Sequence, residues 1–277
     1  MWSLFITFCY ERLQLKESRD ISDKRVAHLL KLFERASSQF TLSEEDFLKW
    51  GNVLIHTGQL EEASRVGEKA TTAHSQSAKL WEMRIQQAAR IASKPDEKDK
   101  EHVRRLFDSA ISSVKSKNAL NIWMIGLEWC LLYDEDRVTA LFEAGCEEHR
   151  NVSLPLKECY LEYAATTGGI KKARKVYKKL QIKKPLSVEF YKKKILLENT
   201  QPQVNVTKLR ETYEDALKEF GSHDPDLWLD YIKMESSLQQ MPSLENVKKL
   251  HWRAKSALEG MYVEQFISGY TLLQLSQ

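Results

Sequence analysis

The sequence predicts an all-α chain, a right-handed α-solenoid of about seven helical hairpins. Three observations carry that reading. Only 10 Gly and 6 Pro occur in 277 residues, so the residues that make tight turns and break helices are scarce and an all-β fold is disfavoured. A signature recurs along the chain: a small or aliphatic residue, an aromatic four positions on, and a small or apolar residue three after that. Its central positions, Phe33, Gly67, Phe107, Phe142, Tyr177, Tyr213 and His251, are separated by 34, 40, 35, 35, 36 and 38 residues, the period of a stacked helix pair. Before nearly every copy stands another helical pattern anchored by a large aromatic, Trp2, Trp81, Trp123, Tyr160, Tyr191 or Trp228.

Offsets of four and seven place the signature residues on one helical stripe, so each copy is the apolar face of a second helix. In the hairpin over 1–37, Trp2 and Phe5 mark the first helix and Leu29, Phe33 and Ala36 the second. The hairpin over 43–75 opens at Ser43, which precedes Glu44, Glu45 and Asp46 as a cap precedes an acidic first turn. Gly58 supplies its turn, and Ala63, Gly67 and Ala70 form a weaker copy of the signature. Trp81 pairs with Val103, Phe107 and Ala110 over 78–115, across a polar stretch from Ser93 to Lys100 that reads as a short linker. Trp123 and Trp129 pair with Val138, Phe142 and Gly145 over 119–150, and Tyr160 and Tyr163 with Ala173, Tyr177 and Leu180 over 156–184, the turn falling at Gly168 and Gly169. Tyr191 pairs with Leu209, Tyr213 and Ala216 over 188–220, with a short linker at 201–205. Asp224 and Pro225 form a helix entry with Pro at its first position, and Trp228, Tyr231, Val247, His251 and Ala254 complete the hairpin over 225–259.

Residues 1–260 thus read as one repeat array, with 261–277 a terminal helix or tail and no linker long enough to mark a domain boundary. Pro155, Pro185, Pro225 and Pro242 are expected outside the middles of helices. Each hairpin leaves an apolar face that only its neighbours can cover, so stability comes from stacking. The periodic aromatics are therefore expected in the core. A platform for stacking bases has no reason to follow the repeat period.

Cys9, Cys130, Cys146 and Cys159 lie far apart without a C-x-x-C pair, and the seven His residues show no ligand spacing. Buried reduced thiols and no metal are expected. The apolar opening Trp2 to Tyr10 lacks a preceding basic segment and runs into Glu11 and Arg12, unlike a signal peptide. The apolar run Ile122 to Tyr133 is too short to cross about 30 Å of hydrocarbon and contains Glu128, so no membrane association is expected. Phosphate-loop, nucleophile-elbow and zinc-protease motifs are all absent, and the acid pairs Glu44/Glu45, Glu61/Glu62 and Glu147/Glu148 sit at adjacent positions that point apart. Neither catalytic residues, a cofactor nor a small-molecule substrate is expected.

Charge is segregated. Residues 171–194 carry eleven basic side chains and one acid, Glu189, a local net of +10 in a chain whose total is +3, so the remainder is −7. The candidate binding residues are Lys171, Lys172, Lys175, Lys178, Lys179, Lys183, Lys184, Lys192, Lys193 and Lys194. Ala173, Val176, Tyr177 and Leu180 fall on one side of the helix; Lys171, Lys172, Lys175, Lys178 and Lys179 fall on the other. Such a face serves solubility or nuclear import, or it binds RNA phosphate or an acidic partner peptide. Lysines without interleaved exposed aromatics favour backbone contact over base reading. A second pattern sets Glu198 and Glu235 in first helices against Arg174 and Arg210 in second helices, spaced for ion pairs between stacked hairpins.

The first-helix motif Trp228-Leu-Asp-Tyr231 and the second-helix motif Leu209-Arg-x-x-Tyr-Glu-x-Ala216 resemble the half-a-TPR (HAT) repeat, a TPR-like unit. Within that class, the runs Gly168 to Tyr177, Leu186 to Phe190, Arg210 to Gly221 and Asp226 to Tyr231 resemble the U3 small nucleolar RNA-associated protein 6 family. The resemblance extends along nearly the whole chain. It implies a nucleolar, non-enzymatic scaffold of the small-subunit processome within the UTP-B subcomplex, supporting pre-18S ribosomal RNA processing. Implied partners are UTP-B subunits, notably WD40-propeller proteins, and the U3 ribonucleoprotein, with pre-ribosomal or small nucleolar RNA contact through the basic segment as an alternative. A HAT scaffold of splicing or messenger-RNA cleavage machinery is a third reading. The family is about twice as long, so the amino-terminal half is expected to be missing, leaving apolar surface near Trp2 to Phe8.

Overall fold

The computed structural model describes residues 2–13, 19–92, 95–238 and 241–275. Among them the regular elements are fourteen α-helices and one short 3-10 turn, without strands. The helices are α1 (Trp2–Leu13), α2 (Arg19–Gln39), α3 (Glu44–His56), α4 (Leu60–Ala73), α5 (Ala78–Ile91), α6 (Glu97–Ser113), α7 (Leu120–Tyr133), α8 (Glu135–Gly145), α9 (Arg150–Gln181), α10 (Val188–Asn199), α11 (Val206–Phe220), α12 (Pro225–Ser237), α13 (Met241–Ala257) and α14 (Met261–Leu275).

Local chemistry explains where they start and stop. Ser43, Ser77, Asp96, Ser187, Asn205 and Asp224 each accept a hydrogen bond from the backbone N–H three residues on, satisfying a donor the helix itself leaves free. Asp96 and Asp99 complete a reciprocal capping box, so Glu97 to Lys100 form the first turn of α6 and the linker is shorter than the sequence suggests. Inside α9, Gly169 adopts φ 64° and ψ −171°, a conformation open to Gly, and divides the helix into arms over 150–168 and 170–181. Pro155 corrects the sequence reading: it lies inside α9, which begins at Arg150. It is near enough to the amino-terminus to cost a single ladder hydrogen bond. Pro242, the second residue of α13, keeps clear of the helix middle as expected.

The chain forms two compact units, Met1–Ser153 and Leu154–Gln277. In the first, each helix packs on the next, and α1, α3, α5 and α7 pack successively on one another. In the second, α10, α11, α12 and α13 pack in chain order and α14 covers α12 and α13. Neighbour-plus-next-neighbour contact is the pattern of an α-solenoid.

Aromatic pairs carry the contact from one hairpin to the next. Phe33 stacks on Trp50 at 5.5 Å, and Phe107 meets Trp123 edge-on at 5.4 Å. In the second unit, Tyr177 stacks on Phe190 at 5.4 Å, Tyr213 on Tyr231 at 4.6 Å, and His251 lies 5.6 Å from Phe266 of α14. In every pair the signature aromatic of a second helix reaches an aromatic of the helix that opens the following layer, adding ring–ring attraction to apolar burial. Phe33, Trp81, Phe107, Trp123, Phe142, Tyr160, Tyr177, Tyr191, Tyr213, Trp228 and Tyr231 are buried. Trp2 and His251 are half-buried; Trp2 instead packs at the edge, 6.3 Å from Phe40 and beneath the Arg35 guanidinium. Leu4, Phe5 and Phe8 of α1 are exposed.

Candidate binding surface

The basic segment begins where Gly169 turns the chain. On the arm over 170–181, Ala173, Val176, Tyr177 and Leu180 point inward and are buried. Lys171, Lys175, Lys178 and Lys179 are exposed, and Lys172 is half-exposed, its ammonium donating to the Thr167 hydroxyl at 3.0 Å and sitting over the Tyr163 ring. Lys171, Lys175 and Lys178 make no ion pair among the described residues.

The remaining lysines divide from this face. Lys184 pairs with Glu219, which also accepts from the Tyr191 hydroxyl. Lys192 pairs with Glu189 at 3.3 Å and Lys193 with Glu162 at 2.7 Å. Lys183 is half-buried, and its carbonyl accepts from the ammonium of Lys157 at 2.7 Å. Lys194 corrects the sequence reading: it is 2% exposed and bound to Glu198, so it belongs to the interior. Its carboxylate partner stands four residues on in the same helix, and the run of three lysines hides that Lys194 faces inward while Lys192 and Lys193 stay half-exposed.

Glu198 itself is fully buried. Arg174 grips it with two hydrogen bonds, Nε to Oε1 at 2.9 Å and Nη2 to Oε2 at 2.6 Å, and Lys194 donates to Oε1 as well. Burial pushes the carboxyl pKa up, but the hydrogen bonds from Arg174 and Lys194 outweigh it and hold the value below its ordinary 4.5. Burial in turn lowers the Lys194 ammonium. One hairpin on, Arg210 grips buried Glu235 in the same two-pronged way, at 2.5 and 2.9 Å. Both predicted pairs thus form, each joining a second helix to the next first helix. The first unit holds a third that the sequence reading missed: Arg104 Nε donates to buried Asp134 at 2.8 Å. Arg104, Arg174 and Arg210 all stand three residues before a signature aromatic, and that shared offset is the signal that could have found it.

Lys157 was also missed. It is 2% exposed, and its ammonium donates to the carbonyls of Lys183 and Pro185 at 2.7 and 3.0 Å, tying down the loop that ends the basic arm. Beside that arm, facing α11, lies a groove of about 200 Å³ lined by Lys175, Tyr177, Lys178, Lys208, Glu211 and Asp215, among others. A wider groove of about 510 Å³ runs between α10 and α12 past Lys192, Leu196, Lys233 and Met234. No cluster of His, Cys, Asp or Glu suited to a metal occurs among the described residues, and none of their helices is long and apolar enough to cross a membrane. These surfaces offer charge and shape for binding.

Comparison with known proteins agrees in sequence more than in shape. Solved structures of IFIT1 monomeric mutants, with Gppp-AAAA or m7Gppp-AAAA, align over 95% of this chain and 61% of theirs. Their TM-scores are 0.34 and 0.32 at 15% and 14% identity, too loose to carry an argument. The mouse (Mus musculus) U3 small nucleolar RNA-associated protein 6 homolog is 34% identical over 278 residues, and the human (Homo sapiens) homolog 33% over 277. Each alignment covers 99% of this chain and 45% of the relative, so the chain spans less than half the length of those proteins. The Dictyostelium discoideum homolog is 25% identical over 253 residues, 89% of this chain and 38% of that protein. With the model of the U3 small nucleolar RNA-associated protein 6 C-terminal family matching residues 1–258, the chain belongs to that family.

Proposed function

We propose that this chain is a non-enzymatic scaffold of ribosome biogenesis that associates with the U3 ribonucleoprotein in the nucleolus. Within the small-subunit processome it serves as part of UTP-B, holding WD40-propeller subunits while pre-18S ribosomal RNA is processed. The observation that carries this reading is the family match along residues 1–258 together with 33–34% identity to relatives named for association with U3 small nucleolar RNA. The fold supports it: stacked hairpins present long side-chain surfaces, and the buried acids Glu198 and Glu235 are held in structural pairs with Arg174 and Arg210.

The test is affinity purification of the tagged chain from nucleolar extract, with sequencing of the recovered RNA and mass spectrometry of the recovered proteins. Enrichment of U3 RNA together with propeller subunits is expected. Recovery of spliceosomal or messenger-RNA cleavage components instead contradicts the assignment. A second reading, direct contact with RNA backbone, is favoured by the exposed lysines of the arm over 170–181. On that reading, reversing Lys171, Lys175, Lys178 and Lys179 to Glu abolishes salt-sensitive RNA binding by the purified chain without loss of helicity.

A further inference from the structure

We propose that the groove between the arm over 170–181 and α11 is a socket for one acidic side chain, Asp or Glu, carried by a partner protein. The proposal rests on the scaffold reading above and assigns a ligand chemistry to one place on it.

Four observations converge. Tyr177 is 93% buried (7% exposed), and its hydroxyl, in a residue lining the groove, has no hydrogen-bond partner. Native interiors rarely leave such a group unsatisfied. Arg174 and Lys194, which also line the groove, both hold buried Glu198, so these three groups together carry one surplus positive charge. The Lys194 ammonium lies 5.5 Å from the centre of the Tyr177 ring. On the rim, Lys175 and Lys178 are exposed and without ion pairs among the described residues. A carboxylate entering the groove can accept from the Tyr177 hydroxyl, which has no exposed surface of its own, once the side chains covering it give way, while the two rim lysines and the surplus charge neutralise it.

Size and charge pattern favour a single carboxylate over a polynucleotide. The groove volume of about 200 Å³ is below the roughly 300 Å³ at which cavities for drug-sized ligands begin, and it has room for a side chain. Glu211 and Asp215 stand on its α11 wall, the first paired with Lys208 at 2.6 Å and the second with Gln181 at 2.6 Å and Lys218 at 3.0 Å. Both acids act on the Tyr177 hydroxyl, so a run of phosphates following the groove meets their repulsion more than once, whereas a single carboxylate meets it once and is offset by Lys175 and Lys178.

The experiment titrates a short fluorescein-labelled peptide of alternating Glu and Gly into the full chain, beside a short oligouridine with the same label. Saturable peptide binding is expected, weakened about threefold or more by Tyr177→Phe, which keeps the ring on Phe190 and removes the donor. Lys175→Ala combined with Lys178→Ala weakens it about tenfold or more, and Lys171→Ala, on the same arm outside the groove, changes it less than about twofold. Absence of saturable peptide binding, indifference to Tyr177→Phe, or oligouridine binding more tightly and lost with the same variants overturns the proposal. Recovery of U3 RNA is scored separately for the Tyr177→Phe chain. If it persists while the peptide fails to bind, the socket is wrong and the scaffold reading stands.

Discussion

Glu198 has no exposed surface, yet it stays charged because Arg174 meets it with a two-pronged grip and Lys194 adds a third donor. Neutralising it by Glu198→Gln leaves two cations facing an amide in the interior, and the expected cost is about 3 kcal/mol or more, read from urea unfolding. The same grip sets a pH dependence. The folded carboxyl titrates below its ordinary 4.5, so its stabilising contribution is complete above that value and is lost as pH falls through the folded pKa. Glu214, lowered by hydrogen bonds from Arg253, acts in the same direction. Unfolding free energy should therefore fall as pH drops below the ordinary carboxyl value of 4.5, more steeply in the parent than in Glu198→Gln. At Cys130 the effect of burial prevails and pushes the thiol up to about 11. At pH 8 roughly one molecule in a thousand carries that thiolate, and we expect iodoacetamide to spare Cys130 until denaturant is added, as peptide mapping can read.

At the scale of helices, the layers depend on close approach as much as on rings. A Cβ on Gly126 of α7 would stand 2.4 Å from the Phe107 ring of α6, so Phe107 packs directly against bare backbone. Gly126→Ala is expected to lower stability by about 1–3 kcal/mol, and Phe107→Leu in the same chain should recover part of it. Thermal melts of the single and double variants check this. Much of this level is readable from the order of residues alone. Phe107, Tyr177 and Tyr213 announce their inward faces by recurring at the repeat period, and Ser43 and Asp224 announce helix starts because capping is local chemistry. What is not readable depends on contacts made in three dimensions. Lys157 looks like surface charge because its carbonyl partners arrive from the loop after the basic arm. Lys194 looks like one more exposed lysine of a basic run, although its partner Glu198 stands four residues on in the same helix, because its burial is decided by what packs over α10. Pro155 looks like a boundary because nothing nearby in sequence shows that α9 has already begun.

For the whole molecule, segregated charge separates two ways of acting. The basic segment 171–194 invites an RNA reading, but the structure ties Lys184, Lys192, Lys193 and Lys194 to carboxylates and leaves Lys171, Lys175 and Lys178 on one arm. Fewer free cations mean a shallower dependence on salt than eleven basic residues suggest, and favour association through protein surfaces. Digesting RNA during affinity purification of the tagged chain tests this most directly. Partner proteins should stay bound after complete nuclease digestion; their release together with the RNA would contradict association through protein surfaces.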